Sequence, residues 1–372
     1  MDTFIQGVST EPDWRKAIDE CVGNKTLPPE TNIGFVYIAD VFTDELPGIL
    51  NALKTKTGIE HWSGTVGMGI CAPGREIYEQ AAIVVLMASL PKDSFRIFSG
   101  VQSNLDEFQS QYRNWYQKNQ AHLGILHGDP RNTHLTQLIN NLAEEVPGGF
   151  MVGGLSSSRS TTPQIANTIT SGGLSGVLIS SDVPVVTGLT QGCTPIGPHR
   201  EITRCEENII IELDGKPALD VFNEDIGEVM AHDLERVSGY IFVGFPVTGS
   251  DTGDYLVRNL VGIDPDNKMI AVGEQPTVGQ TMMVCRRDGN TAVEDMQRML
   301  SDVKNRTGGK QPRGALYFSC LGRGRYLFGE HSEELKMLEA EFKDTPLAGF
   351  YCNGEIANNR LYGYTGVLTL FL

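Results

Sequence analysis

Between Phe318 and Glu334 the chain reads FSCLGRGRYLFGEHSEE. Cys320 closes an apolar run, Arg323 and Arg325 alternate with Gly322 and Gly324, and an acidic helix start follows. Two chemistries suit this pattern. A cysteine at the C-terminal end of a strand, beside guanidinium groups that depress its pKa, is a nucleophile when a base stands near; His331 is the nearest histidine in sequence. Arginines in a glycine-bent turn instead bind a carboxylate or phosphate, helped by backbone N–H groups. Glu355, in GFYCNGEIANN, ends a neighbouring apolar run. If the two runs pair as adjacent strands, Arg323 and Glu355 face one cleft. They then hold both halves of a zwitterion, or form an ion pair that orders two loops.

Other chemistries find less support. His122, His127, Asp129 and His134 cluster in sequence, but without an HExxH or Cys/His spacing that would make a metal site. Asp251-Thr252-Gly253 occurs once, whereas an aspartic protease needs two such carboxylates, so an acidic turn is expected there. GTVGMG (Gly64–Gly69) has its glycines in the reverse of the dinucleotide order and follows a helix, not a strand. No GxxxxGK[ST] or GxSxG is present.

The elements that must position these residues recur along the chain. An apolar strand, a helix, a Gly-x4-Gly segment and one or two further strands appear in IGFVYIAD with GTVGMG, in LGILHGD with GFMVGG (Gly149–Gly154), and in ALYFSCL with GFYCNG (Gly349–Gly354). A weaker copy starts at NIIIEL and passes through GYIFVG. In a chain with 42 glycines the Gly-x4-Gly pair alone carries nothing; its place between a helix and a strand is the signal. The expected fold is α/β, with two domains of mixed sheets flanked by helices, built from repeated strand-helix-strand-strand units. PVVTGLTQGCTPIGPHREIT (Pro184–Thr203) separates the second and third copies, and the boundary is placed at 200/201. IELDGKPALDVF then reads as strand, Asp-Gly turn and a helix opened by Pro217.

At 372 residues, with 40% hydrophobic and 20% charged residues, the chain is globular. Its 46 acids against 30 bases, a net charge of −16, argue against nucleic-acid binding and against docking on an anionic membrane. AAIVVLMASL is about half the length of a membrane helix, and MDTFIQGVSTEPDW lacks the basic start and apolar core of a signal peptide. Seven cysteines without a CxxC pair point to a reduced, cytoplasmic protein.

SCLGRGRYLFGE resembles the CxGRG signature of FIST proteins, and GFYCNGEIANNRLYGYTGVLTLF resembles their C-terminal segment. FMVGGLSSS and TPIGPHREITRCEENIIIELDGKPALDVF are similar to the end of the N-terminal domain and to its junction with the next. The resemblance implies a FIST-N-like domain over residues 1–200 and a FIST-C-like domain over 201–372. It implies a sensory protein of signal transduction that binds a small ligand, an amino acid or another small anion, without chemistry. The residues it carries over are Cys320, Gly322, Arg323, Gly354 and Glu355; the expected ligand site adds Asn353 beside them, with Gly153, Gly154 and Ser156 contributing from the other half. A partner in trans, such as a histidine kinase, is implied because no attached signalling module is visible. A subset of the family resembles haem proteins that sense nitric oxide, for which His127, His199 or a cysteine would be the axial ligand. An enzyme with Cys320 as nucleophile is the remaining alternative.

Overall fold

Strands rich in β-branched and aromatic residues, buried on both faces, open and close three repeated blocks. The computed structural model describes residues 4–23, 25–227, 239–247 and 254–372; the Asp251-Thr252-Gly253 triplet lies outside them. Two compact units are present, one formed by residues 1–190 and 293–372 and the other by residues 191–292. The last 80 residues of the chain therefore belong with the first 190, and the physical division is not a single cut near residue 200.

The first unit contains three copies of one topology. Each begins with a strand and a helix: Phe4–Ser9 and Trp14–Val22, then Phe95–Val101 and Asp106–Lys118, then Val185–Gln191 and Gly289–Arg306. In the third copy the chain makes the second unit between these two elements. Next come two long strands joined by a helix. They are Ile33–Ala39 and His61–Gly67 around Leu46–Thr57, Ala121–Gly128 and Phe150–Leu155 around Leu135–Glu145, and Gly314–Cys320 and Leu347–Cys352 around Glu333–Glu341. Each pair is parallel, as a helical crossover requires. A short hairpin follows: Gly69–Ala72 with Arg75–Tyr78, Gln164–Ala166 with Thr168–Thr170, or Glu355–Asn358 with Arg360–Tyr362. A last strand, Ile83–Ala88, Leu174–Ser180 or Thr365–Phe371, returns antiparallel on the first long strand.

The hairpins do not join their own sheets. That of copy one docks on the Leu347–Cys352 strand of copy three, that of copy three on the Phe150–Leu155 strand of copy two, and that of copy two on the His61–Gly67 strand of copy one. The exchange closes a ring of three six-stranded sheets. At equivalent positions on the three first strands, Tyr37, His127 and Phe318 pack against one another, with ring centroids 5.6, 5.9 and 6.3 Å apart.

The register also corrects the sequence alignment of the copies. Gly64 pairs with Val36, Gly349 with Tyr317 and Gly153 with Leu126. At all three, a Cβ would fall on the carbonyl of that partner. The glycine of copy two equivalent to Gly64 and Gly349 is thus Gly153, not Gly149. Close approach of two backbones, and not turn chemistry, demands it.

The second unit is a sheet in which every pairing among the described residues is antiparallel, packed by the Ala218–Ile226 helix. The weaker fourth copy expected from NIIIEL to GYIFVG is therefore not a copy. Its strands Ile209–Leu213 and Ile241–Pro246 lack the parallel pairing that defines the repeat. The expected Asp-Gly turn is present, with Asp214 and Gly215 both at positive φ and Pro217 capping the helix. No helix among the described residues is long and apolar enough to cross a membrane.

Candidate functional site

Cys320 ends the Gly314–Cys320 strand beside Cys352 of the parallel Leu347–Cys352 strand. The chain then turns sharply, with the Arg323 N–H donating to the Cys320 carbonyl at 2.8 Å. Gly324, at φ +51°, leaves the space in which the Tyr78 and Tyr351 hydroxyls and Glu76 converge. This geometry folds the Arg323 side chain inward, where it is fully buried.

A charged side chain survives such burial only when paired. Arg323 Nε donates to Glu334 Oε1 at 2.8 Å, Nη1 reaches the Tyr364 carbonyl at 3.5 Å, and the guanidinium carbon lies 4.9 Å from the Phe328 ring centre. Nη2 has no partner. Burial opposes the charge, but the Glu334 carboxylate and the Tyr317 hydroxyl outweigh it and raise the guanidinium's pKa. Glu334, also fully buried, accepts from Tyr317 (2.7 Å), Ser319 (3.0 Å) and the Gly324 N–H (2.9 Å) as well. The carboxylate that neutralises Arg323 is thus Glu334, from the first turn of the Glu333–Glu341 helix.

Glu355 interacts electrostatically with Arg323. It is fully buried at the start of its hairpin; Oε2 accepts from the Thr365 N–H (3.1 Å) and hydroxyl (2.8 Å), and Oε1 has no partner among the described residues. Burial pushes its pKa up to about 8, partly offset by the Thr365 hydrogen bonds, the Arg323 charge and Cys320. Arg323 therefore interacts with two carboxyl groups, Glu334 through a direct hydrogen bond and Glu355, which is held neutral near pH 7. Cys320 is partly buried and interacts with Glu355. Burial, then the Glu355 charge, raises its thiol pKa well above the ordinary range. Glu76, from the exchanged hairpin of copy one, is pushed up to about 7 by burial and by the Glu334 charge.

Most of the expected site residues are brought together. Gly154 pairs with Glu355 in the sheet and Gly153 with Ile356. The Leu155 N–H donates to the Gly354 carbonyl (2.9 Å) and the Asn353 N–H to the Leu155 carbonyl (3.1 Å). Gly322 lies under the Tyr364 ring. Two positions turn elsewhere: the Asn353 side chain is exposed, and the Ser156 hydroxyl lies 2.6 Å from that of Thr65. Glu334, Tyr317, Tyr351 and Glu76 were missed. An acidic residue in a first helical turn reads as dipole compensation, and only the alternation of REIY hinted that Glu76 and Tyr78 share a face.

Comparison with known proteins now bears on this geometry. Residues 32–216 match the FIST N domain family model and residues 218–358 the FIST C domain model. The chain belongs to the FIST family. An uncharacterized protein of Mycobacterium tuberculosis is 30% identical to it over 381 residues, covering 98% of each chain. An uncharacterized protein of Mycobacterium bovis is 29% identical over 384 residues, again 98% of each. FIST domains are associated with small-ligand sensing in signalling. The Arg323–Glu334 network lies within the matched FIST C residues, yet Glu76 and Gly154, on its borders, come from the FIST N match.

Two of the residues named as axial haem ligands, His127 and Cys320, do not fit that group. His127 is fully buried, with its Nε2 3.2 Å from the Tyr37 hydroxyl and its ring enclosed by Tyr37, Phe318 and Phe350, which leaves no face for a macrocycle. Cys320 is kept a protonated thiol, whereas iron takes the thiolate.

Proposed function

We propose that this FIST protein is a sensory protein whose ligand is a small zwitterion, an amino acid, bound between Arg323 and Glu355 without chemistry. The observation that carries the reading is a pair of buried polar atoms without a partner among the described residues, Arg323 Nη2 and Glu355 Oε1, on two side chains whose charges interact. Unsatisfied buried polar atoms cost about 1–3 kcal/mol each, so a ligand that satisfies both recovers that cost. A carboxylate suits the guanidinium, and an ammonium suits the ionised Glu355. The raised thiol of Cys320 speaks against the nucleophile reading. The site is closed, so entry requires the 322–330 segment to move. Its glycines include Gly324 and Gly329 at positive φ, and its helix carries Glu334. That movement supplies the shape change a signalling partner in trans, such as a histidine kinase, reads. Seven cysteines, with no disulfide among them, fit a reduced, cytoplasmic setting.

Ligand binding is expected to release a proton. Near pH 7 the free site holds Glu355 neutral, and an ammonium lowers its pKa below the solution pH. Calorimetric titration with the common amino acids, in buffers of differing ionisation heat, should show about one proton released per ligand; Glu355→Gln should abolish that release and weaken binding about tenfold or more. Binding with no buffer dependence, or unaltered in Glu355→Gln, overturns the site.

The same group predicts a pH dependence of stability. Folded Glu355 keeps its proton up to about pH 8, whereas the unfolded chain loses it near 4.5. The folded state binds more protons across that window, so stability falls as pH rises through it. Glu76, raised to about 7, adds to the fall. Denaturation midpoints of Glu355→Gln should decline less between pH 5 and 8 than those of the parent, and exceed them at pH 8. Parallel profiles would show that Glu355 does not titrate in this range.

A further inference from the structure

We propose that the cavity beside the Glu333–Glu341 helix is a second ligand site, taking a small primary amine with an aliphatic or aromatic body. The cavity measures 280 Å³ and is lined by residues of the first unit alone. Its floor is apolar: Leu335 and Leu338 from the helix, with Leu347, Leu368 and Leu370 from the sheet beneath. Its polar rim includes two carboxylates, Glu339 and Asp344. Neither forms an ion pair with any described residue, and the cations on that segment, Lys336 and Lys343, do not line the cavity. The other polar lining groups are engaged, Gln6 with the Leu347 N–H and Thr345 with the Gln311 side chain.

The turn of the exchanged hairpin lies against one carboxylate. Gly74 packs directly against Glu339, and any side chain at Gly74 would collide with that carboxylate. Pro73, beside it, forms part of the wall. An apolar floor below a pair of carboxylates selects a positively charged head on an apolar body and rejects the matching anion. The volume, at the lower edge of the roughly 300–1,000 Å³ common for ligand pockets, limits that body to a small one. Across the same helix Glu334 holds Arg323, so an occupant here presses on the element that closes the other site.

Hexylamine, hexanoate and hexanol serve as probes, read by thermal shift and by calorimetric titration on the full chain. Hexylamine is expected to raise the unfolding midpoint saturably, while hexanoate and hexanol do not. The Glu339→Gln/Asp344→Asn double variant, changed only at the exposed rim, should bind hexylamine about tenfold more weakly, the loss of about 1.4 kcal/mol. Leu338→Trp, which fills the floor, should abolish the shift. Glu355→Gln should leave it intact, which separates this site from the zwitterion site. A hexylamine response unchanged in the double variant, or matched by hexanoate, overturns the proposal.

Discussion

Glu334→Ala is expected to lower the stability of the first unit by about 4 kcal/mol, the cost of stranding a buried charge. Arg323 would lose its only carboxylate partner at hydrogen-bond distance among the described residues, and Tyr317, Ser319 and the Gly324 N–H would lose their shared acceptor. No water replaces them readily, since Glu334 and Arg323 are both fully buried. The measurement is the urea midpoint at constant slope. Arg323→Met combined with Glu334→Leu should be less damaging than Glu334→Ala alone, because removing both charges removes the uncompensated one. Full recovery is not expected, as the three other donors stay orphaned. A loss under about 1 kcal/mol for Glu334→Ala would mean that the pair is solvated.

Gly349→Ala is expected to prevent folding or to cost more than about 4 kcal/mol. Its Cβ would fall on the Tyr317 carbonyl, between two parallel strands that no rotamer change can separate. The three-copy topology extends the prediction. Gly64→Ala meets the Val36 carbonyl and Gly153→Ala the Leu126 carbonyl, with Gly153 also strained at φ +140°. All three should fail alike in a soluble-expression and thermal-melt comparison. Gly262→Ala is the control, because its nearest neighbour would be 3.6 Å away and its φ is ordinary, so a change within about 1 kcal/mol is expected. A well-folded Gly153→Ala alongside a failed Gly349→Ala would break the equivalence.

The repeat was legible because its strands are long, apolar and regularly followed by helices. Ile33–Ala39, Ala121–Gly128 and Gly314–Cys320 fall where periodicity placed them. Which strand each hairpin docks on was not legible, since pairing across hundreds of residues leaves no local mark. For that reason Glu76 stayed invisible as a neighbour of Glu334, 258 residues away. The FIST signature led to Arg323 and Glu355, but the intervening Glu334 looks in sequence like any acid at a helix start. The misplaced glycine of copy two has a similar cause. GFMVGG offers two candidates four residues apart, and only the strand register chooses between them.

The ring of exchanged hairpins has a consequence for how the chain is made. The first two copies leave the synthesising ribosome long before Leu347–Cys352 exists to receive the hairpin of copy one. Until then Phe150–Leu155 offers an open edge that only Glu355–Asn358 covers. The nascent N-terminal half is therefore an aggregation-prone intermediate, and the family's N-terminal segment expressed alone should need its C-terminal companion, added in trans, to remain in solution.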